Sequence, residues 1–216
     1  MAFRCELRFA GVGGQGNILA GAIIAETAII YEHRFATQVP TYTSQVRGGP
    51  TKADVIISDQ SIEFPEATHL DFLLALDQRT YDMYKGDLKN HAVVLVDDNL
   101  VRVSAQERET WDVYGFPMIR TAKYEVGNVL TANILAVGMT VELTKVVDIE
   151  HVRKILHTRI RPALLEVNMK AFNLGLQAAR SLQLQKVQQH AGTTTLLGHL
   201  VPAQDSSFVR DSAPPR

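Results

Sequence analysis

Hydrophobic positions along this chain fall into short blocks in its first half and long helical stripes in its second. Leu7 to Ala10 is an apolar block broken only by Arg8, and it runs directly into Gly11-Val12-Gly13-Gly14-Gln15-Gly16. That order predicts a strand, a glycine turn and then a helix. The helix follows as Asn17 to Ile30, apolar nearly all round, which suits a helix wedged between a sheet and another packed surface. Phe35 to Val39 predicts a second strand stopped by Pro40, and Asp54 to Ser58 another, with Ile62 to Phe64 as a short hairpin partner. Phe72 to Leu76 and Ala92 to Val96 each end in aspartate, Asp77 and then Asp97-Asp98, the pattern of buried parallel strands with loops at their carboxyl ends. Between them Thr80 to Leu88 reads as a short helix or loop, and Met118 to Ala122 as a further strand.

From Asn128 the period becomes helical. Val129, Leu130, Ala132, Asn133, Leu135, Ala136, Met139 and Leu143 fit one helix, Ile149 to Arg159 a second, and Ala163 to Leu184 a third with Pro162 in its first turn. An α/β sheet in roughly the first 125 residues with a helical layer after it is the expectation. Beyond Val187 the chain turns rich in Gln, Thr, Ser and Pro, so residues 1–186 are expected to form the domain and 187–216 a tail with little capacity to build a core.

Composition narrows the chemistry. Lys and Arg total 22 against 23 Asp and Glu, for a formal charge of −1, which gives no electrostatic footprint for nucleic acid or an anionic membrane. No run reaches the length of a membrane span, and the N-terminal residues lack a basic region followed by a long apolar core, so a cytoplasmic protein is expected. The lone Cys5 can close no intramolecular disulfide and cannot by itself hold an iron–sulfur cluster or a structural zinc. Any metal centre is expected in another chain.

Gly11, Gly13 and Gly16 match G-x-G-x-x-G between strand and helix, where free N–H groups at the helix start favour an anion. A dinucleotide site also wants an acid at the tip of the second strand; here that strand ends Gln38-Val39-Pro40, and Glu32 lies before it. The competing reading is that the loop only closes a sheet–helix contact. Gly14 and Gln15 are the less usual members, since a glutamine amide both donates and accepts and can tie loops together or face a partner's ligand. A second cluster, Pro40-Thr41-Tyr42-Thr43-Ser44-Gln45-Val46-Arg47-Gly48-Gly49-Pro50-Thr51, follows the second strand and should lie near the first. Arg47 offers a planar fork for carboxylate or phosphate and Gly48-Gly49 allow close approach; alternatively Arg47 pairs with a local acid beside a turn. The seven histidines show no metal spacing, and nucleophile-elbow and G-K-[ST] phosphate-loop motifs are lacking. His151 and His157 read as helix-surface residues, and Asp77, Asp97 and Asp98 as turn caps rather than acid–base groups.

Taken together, Gly11-Val-Gly-Gly-Gln-Gly16, Pro40-Thr-Tyr42 and Arg47-Gly-Gly49 resemble the gamma subunit, or gamma domain, of 2-oxoacid:acceptor oxidoreductases, the pyruvate, 2-oxoglutarate, indolepyruvate and phenylglyoxylate group. The likeness runs from about Phe3 to Leu182 and includes Thr51 to Pro65 and Asn128 to Gly138. Pro50 stands where the family commonly has a small hydroxyl residue, and Ser44-Gln45 where many members have a glycine and an acid.

The resemblance implies a Rossmann-like three-layer α/β/α domain with a mostly parallel sheet and C-terminal helices; the tail, 187–216, lies outside it and is expected to be extended or docked on a partner. It further implies oxidative decarboxylation of a 2-oxoacid to an acyl-CoA, with electrons passed to ferredoxin or another acceptor. Thiamine diphosphate, magnesium and [4Fe-4S] clusters are then held by partner subunits of a hetero-oligomer, CoA is a co-substrate, and this chain binds no cofactor alone. Its expected part is an accessory one without a catalytic residue, in which Gly11, Gly13, Gly14, Gln15, Gly16, Arg47, Gly48 and Gly49 face the partner's thiamine and CoA region. The alternative is a stand-alone nucleotide-binding or regulatory Rossmann-like module; an NAD-dependent dehydrogenase subunit is disfavoured by the missing acid.

Overall fold

The computed structural model of the chain describes residues 3–42 and 48–198, with side-chain surroundings through 188. Six strands form one sheet: β1 (Arg4–Val12), β2 (Phe35–Thr41), β3 (Pro50–Ser58), β4 (Leu70–Ala75), β5 (Leu88–Val96) and β6 (Asp112–Gly115), in the order β2-β3-β1-β4-β5-β6. β1, β4, β5 and β6 pair in parallel, whereas β3 runs antiparallel to both β1 and β2. Five strands therefore point one way and β3 alone is reversed.

The helices are α1 (Asn17–Ile30), α2 (Gln78–Tyr84), α3 (Ala105–Thr110), α4 (Met118–Thr121), α5 (Ala132–Thr144), α6 (Ile149–Arg159) and α7 (Pro162–Gly198). Alternation along β1 divides the core: Leu7 and Phe9 join Ile23, Ile24, Leu135 and Phe172 on one face, and Ala10 joins Ile56, Leu73 and Tyr81 on the other. The first face carries α1, α5 and α6, the second α2, which gives the three layers. α5 and α7 touch at their backbones: a Cβ on Gly138 would stand 2.3 Å from the Phe172 carbonyl oxygen, and one on Gly175 2.1 Å from that of Leu135. Glu142 of α5, buried at that crossing, accepts from Arg180 of α7 at 3.0 Å.

Several sequence expectations are corrected. Met118 to Ala122 is helical rather than a strand, because the Asp97 carboxylate accepts from the Ile119 N–H at 2.9 Å at the start of α4; a π-helical turn, Ala122–Val126, follows. The sixth strand is the four-residue β6 instead. Pro40 does not stop β2, which continues to Thr41, since an edge strand tolerates a residue without an N–H. β3 begins at Pro50 and β5 at Leu88, both earlier than their apolar blocks, and Ile62 to Phe64 is not a strand.

A compact unit covers Met1–Leu182 and a second is Gln183–Arg216. The tail expected to be extended from 187 begins as helix, because Gln185 to Ala191 holds no Gly or Pro to stop α7, which reaches Gly198. The remainder, 199–216, lies outside the described residues.

Candidate functional site

β1 is flanked by β3 on one side and β4 on the other, and the chain leaves it toward β2 on the first side and advances from β4 to β6 on the second. The β1–β4 boundary is therefore the point where winding reverses, where open α/β sheets form their crevice. The glycine turn, Gly13 to Gly16, sits at the carboxyl end of β1 on this boundary.

Because β3 is reversed, it begins at the same edge where β2 ends. The Gly13 N–H donates to the Gly49 carbonyl at 3.0 Å, and the Thr51 hydroxyl to the Gly11 carbonyl at 3.2 Å. The two sequence clusters thus meet, as their order along the chain predicts. Arg47, with the other residues from 43 to 46, lies outside the described residues; Gly48 and Gly49 stand beside the glycine turn.

Gln15 ties rather than reaches outward. Its Oε1 accepts from the Val12 N–H at 2.8 Å, and its Nε2 donates to the Leu76 carbonyl at 3.3 Å, bridging the tips of β1 and β4. Gly16 has φ +78°, and a Cβ there would lie 2.5 Å from Nδ2 of Asn133, whose amide reaches the Gly16 carbonyl at 3.4 Å. The third glycine is thus needed for packing α1 against α5. Gly14 and Gly48 both have positive φ, and a Cβ on either would meet nothing within 4 Å among the described residues. These two backbone positions are the open ones.

The strand-end acids are caps. Asp77 accepts from Thr80 N–H at the start of α2, and Asp97, fully buried, accepts from Asn99 and Ile119. Burial pushes the Asp97 carboxyl above its usual range, against the pull of those N–H donors. Glu32 bonds His151 Nδ1 at 2.8 Å and the Asp148 N–H at 2.9 Å, and Tyr31 stacks on the His151 ring. His151 is consequently half-buried in a joint between α1 and α6, not a free surface residue.

Two features went unread in the sequence. Arg8 is buried on β1 and engages Asp54, Asp87 and the Ala67 carbonyl, with Lys52 on the other Asp54 oxygen and the Tyr84 ring 4.8 Å from the guanidinium carbon. The signal was a charge set among apolar residues, Arg8 between Leu7 and Phe9 on β1 and Asp54 between Ala53 and Val55 on β3. Asn17, at the first position of α1, is the other, and its amide is buried without a partner.

The donor set among the described residues does not fit a resident metal cluster. Among the described residues no three His, Cys, Asp or Glu side chains gather as ligands. Burial, with Asp71 nearby, pushes the Cys5 thiol up to about 12, the reverse of what a thiolate ligand needs. No helix among the described residues is long and apolar enough to cross a membrane.

Known proteins share the sequence pattern and the fold. The chain is 37% identical over 179 residues to the 2-oxoglutarate synthase subunit KorC of Methanocaldococcus jannaschii, covering 83% of this chain and 96% of that protein. The gamma subunit of a keto/oxoacid ferredoxin oxidoreductase from Geobacter sulfurreducens superposes with a TM-score of 0.76 at 43% identity, over 84% of this chain and 99% of that one. In the ketoisovalerate oxidoreductase subunit VorA of Methanothermobacter marburgensis, 28% identical, the match spans 81% of this chain but 36% of the longer polypeptide. The profile of the pyruvate ferredoxin/flavodoxin oxidoreductase family matches residues 6–178, nearly the whole sheet and its helices. With its glycine turn, joined second loop and reversed β3 in place, the chain belongs to that family, as a subunit of the gamma type.

Proposed function

We propose that this chain is the accessory gamma subunit of a 2-oxoacid:ferredoxin oxidoreductase complex. The overall reaction converts a 2-oxoacid and CoA to an acyl-CoA and carbon dioxide, and two electrons pass to the acceptor. The thiamine diphosphate, magnesium and [4Fe-4S] clusters reside in partner subunits in the cytoplasm. Residues beyond 186 serve as a docking tail for those partners.

The observation that carries this reading is the pairing of the two loops at one sheet edge, Gly13 N–H to Gly49 carbonyl, with Gly14 and Gly48 left open beside it. Backbone without side chains lets another chain or its ligand approach closely. VorA supports association with further subunits, because there the matching region is joined to further sequence in one polypeptide. The loops act by covering and excluding water; the chain supplies no acid, base or nucleophile.

Co-expression with candidate partner subunits tests this. The chain should co-purify in fixed stoichiometry, and the complex should reduce ferredoxin only when both a 2-oxoacid and CoA are present. A complex that turns over equally well without this chain would sink the reading. So would a chain that stays monomeric and binds nucleotide by itself, which is the stand-alone alternative.

A further inference from the structure

A helix N-terminus lies at the carboxyl edge of the sheet, and a buried amide in its first turn has nothing to bond. α1 starts behind Gly16 with no side-chain cap and no acid in its first turn, whereas α5 continues the Val129–Thr131 turn and its first N–H groups are already taken. First-turn N–H groups of α1 lack intrahelical acceptors and carry the positive end of the helix dipole, so this end favours an anion. Asn17 is 2% exposed, yet neither its Nδ2 nor its Oδ1 has a hydrogen-bond partner. Buried amides are normally paired, so such an exception calls for an explanation.

The location of this amide supplies one. A Cβ on Gly11 would stand 2.6 Å from Asn17 Nδ2, 2.2 Å from Gln15 Oε1 and 3.3 Å from Leu76 Cβ. Asn17 therefore points into the crevice between the tips of β1 and β4, and the Gln15 side chain fills that crevice. Gln15 is only half-buried, and one of its two bonds, to the Leu76 carbonyl, is 3.3 Å long. The nearest acid along β4, Asp77, commits its carboxylate to the Thr80 N–H of α2.

We propose that this crevice is an oxyanion site that takes a phosphate group, with Gln15 as its displaceable plug. When Gln15 turns outward, Asn17 Nδ2 and the first-turn N–H groups of α1 donate to phosphate oxygens. Asn17 Oδ1 takes its hydrogen from a P–OH or from a water that enters with the ion. Donors from a helix end and from a side-chain amide can each take a different oxygen of a phosphate group. The site belongs to this chain alone and stands or falls independently of the assembly described above.

The test uses the full chain, with inorganic phosphate as probe and chloride at equal ionic strength as control. Phosphate should raise the melting temperature, since a ligand that binds only the folded state stabilises it by mass action. Gln15→Ala should bind phosphate severalfold more tightly than the wild type, and Asn17→Asp should lose the effect. If Asn17→Asp fails to fold, amide NMR of the wild-type chain decides, with saturable shifts expected at Gly16, Asn17, Ile18 and the Asn17 side-chain amide. Adenosine 5′-monophosphate run in parallel distinguishes a phosphate ester from the free ion as the source: saturation by both means that the phosphate group itself is read, and saturation by inorganic phosphate alone means that only the free ion enters. Shifts confined to exposed lysines and arginines, an adventitious ion only, would overturn the proposal. A phosphate response unchanged in Gln15→Ala would do the same.

Discussion

Arg8 and Asp54 face each other across the β1–β3 ladder, both buried, with Arg8 Nε 2.5 Å from Asp54 Oδ1 and a second bond from the same guanidinium to Oδ2 at 3.1 Å. Lys52 and Asp87 complete the group, so two positive and two negative charges share one patch of the sheet. Removing Asp54 leaves the buried Arg8 with only the half-exposed Asp87 as counter-charge. Asp54→Ala should therefore destabilise the chain by about 3–5 kcal/mol, whereas an Arg8→Met, Asp54→Leu pair should lose much less. Urea unfolding of the two variants checks this; equal losses would show that the charges are not coupled.

The glycine turn predicts a contrast between neighbours. Gly16→Ala adds a methyl group 2.5 Å from the Asn133 amide at φ +78° and should cost about 3 kcal/mol of stability. Gly14→Ala carries only the strain of its φ of +99°, about 1 kcal/mol, because its Cβ would meet nothing within 4 Å. Its effect should appear instead in assembly and turnover of the complex. Thermal unfolding of the isolated chain beside co-purification of the complex separates the two outcomes.

At the α5–α7 crossing, Gly175→Ala should force the helices apart, since its Cβ would lie 2.1 Å from a backbone carbonyl oxygen that has no rotamer to escape into. A loss of about 1–3 kcal/mol is expected, with Gly138→Ala showing the same sign. Denaturation midpoints provide the measurement.

Glu107 closes a capping box with Ser104 at the start of α3 and binds Lys85 at 2.8 Å. Burial acts to raise its pKa, but the Lys85 ammonium and the Ser104 donors outweigh that and hold it at about 2, below the reference 4.5. A folded-state value below the unfolded one contributes stability above pH 4.5 that is lost as pH falls toward 2. Glu107→Gln should accordingly be less stable than wild type by about 1 kcal/mol at neutral pH, and the gap should close across that window. A stability difference that stayed constant from pH 7 to about pH 2 would contradict the assignment.

How far the sequence spoke depended on the kind of signal. Apolar blocks ending in a turn or an acid marked β1, β4 and β5, and the glycine turn marked the start of α1 to the residue, because these depend on local periodicity and backbone needs. Strand ends were missed where polar residues continue the ladder: Pro50 to Ala53 pairs with β1, and Lys52 and Ala53 also with β2, despite the composition. Met118 to Ala122 misled because its apolar residues fit a strand or a buried helix equally, and a carboxylate 22 positions earlier decides between them. At the site, the meeting of the two loops was legible, whereas the inward turn of Gln15 and the orphaned Asn17 depend on distant Leu76 and on Gly11, which no spacing encodes.

The reversal of β3 has a mechanical consequence. Were that strand parallel to β1, the segment entering it would start from the opposite end of the sheet, and the two loops would be independent parts. Instead β3 begins at the edge where β2 ends, and the Gly13 N–H bonds the Gly49 carbonyl, so displacing either glycine strains a bond to the other. Substitutions at Gly14 and Gly48 should then combine non-additively in the assembled complex, although the two positions are far apart along the chain.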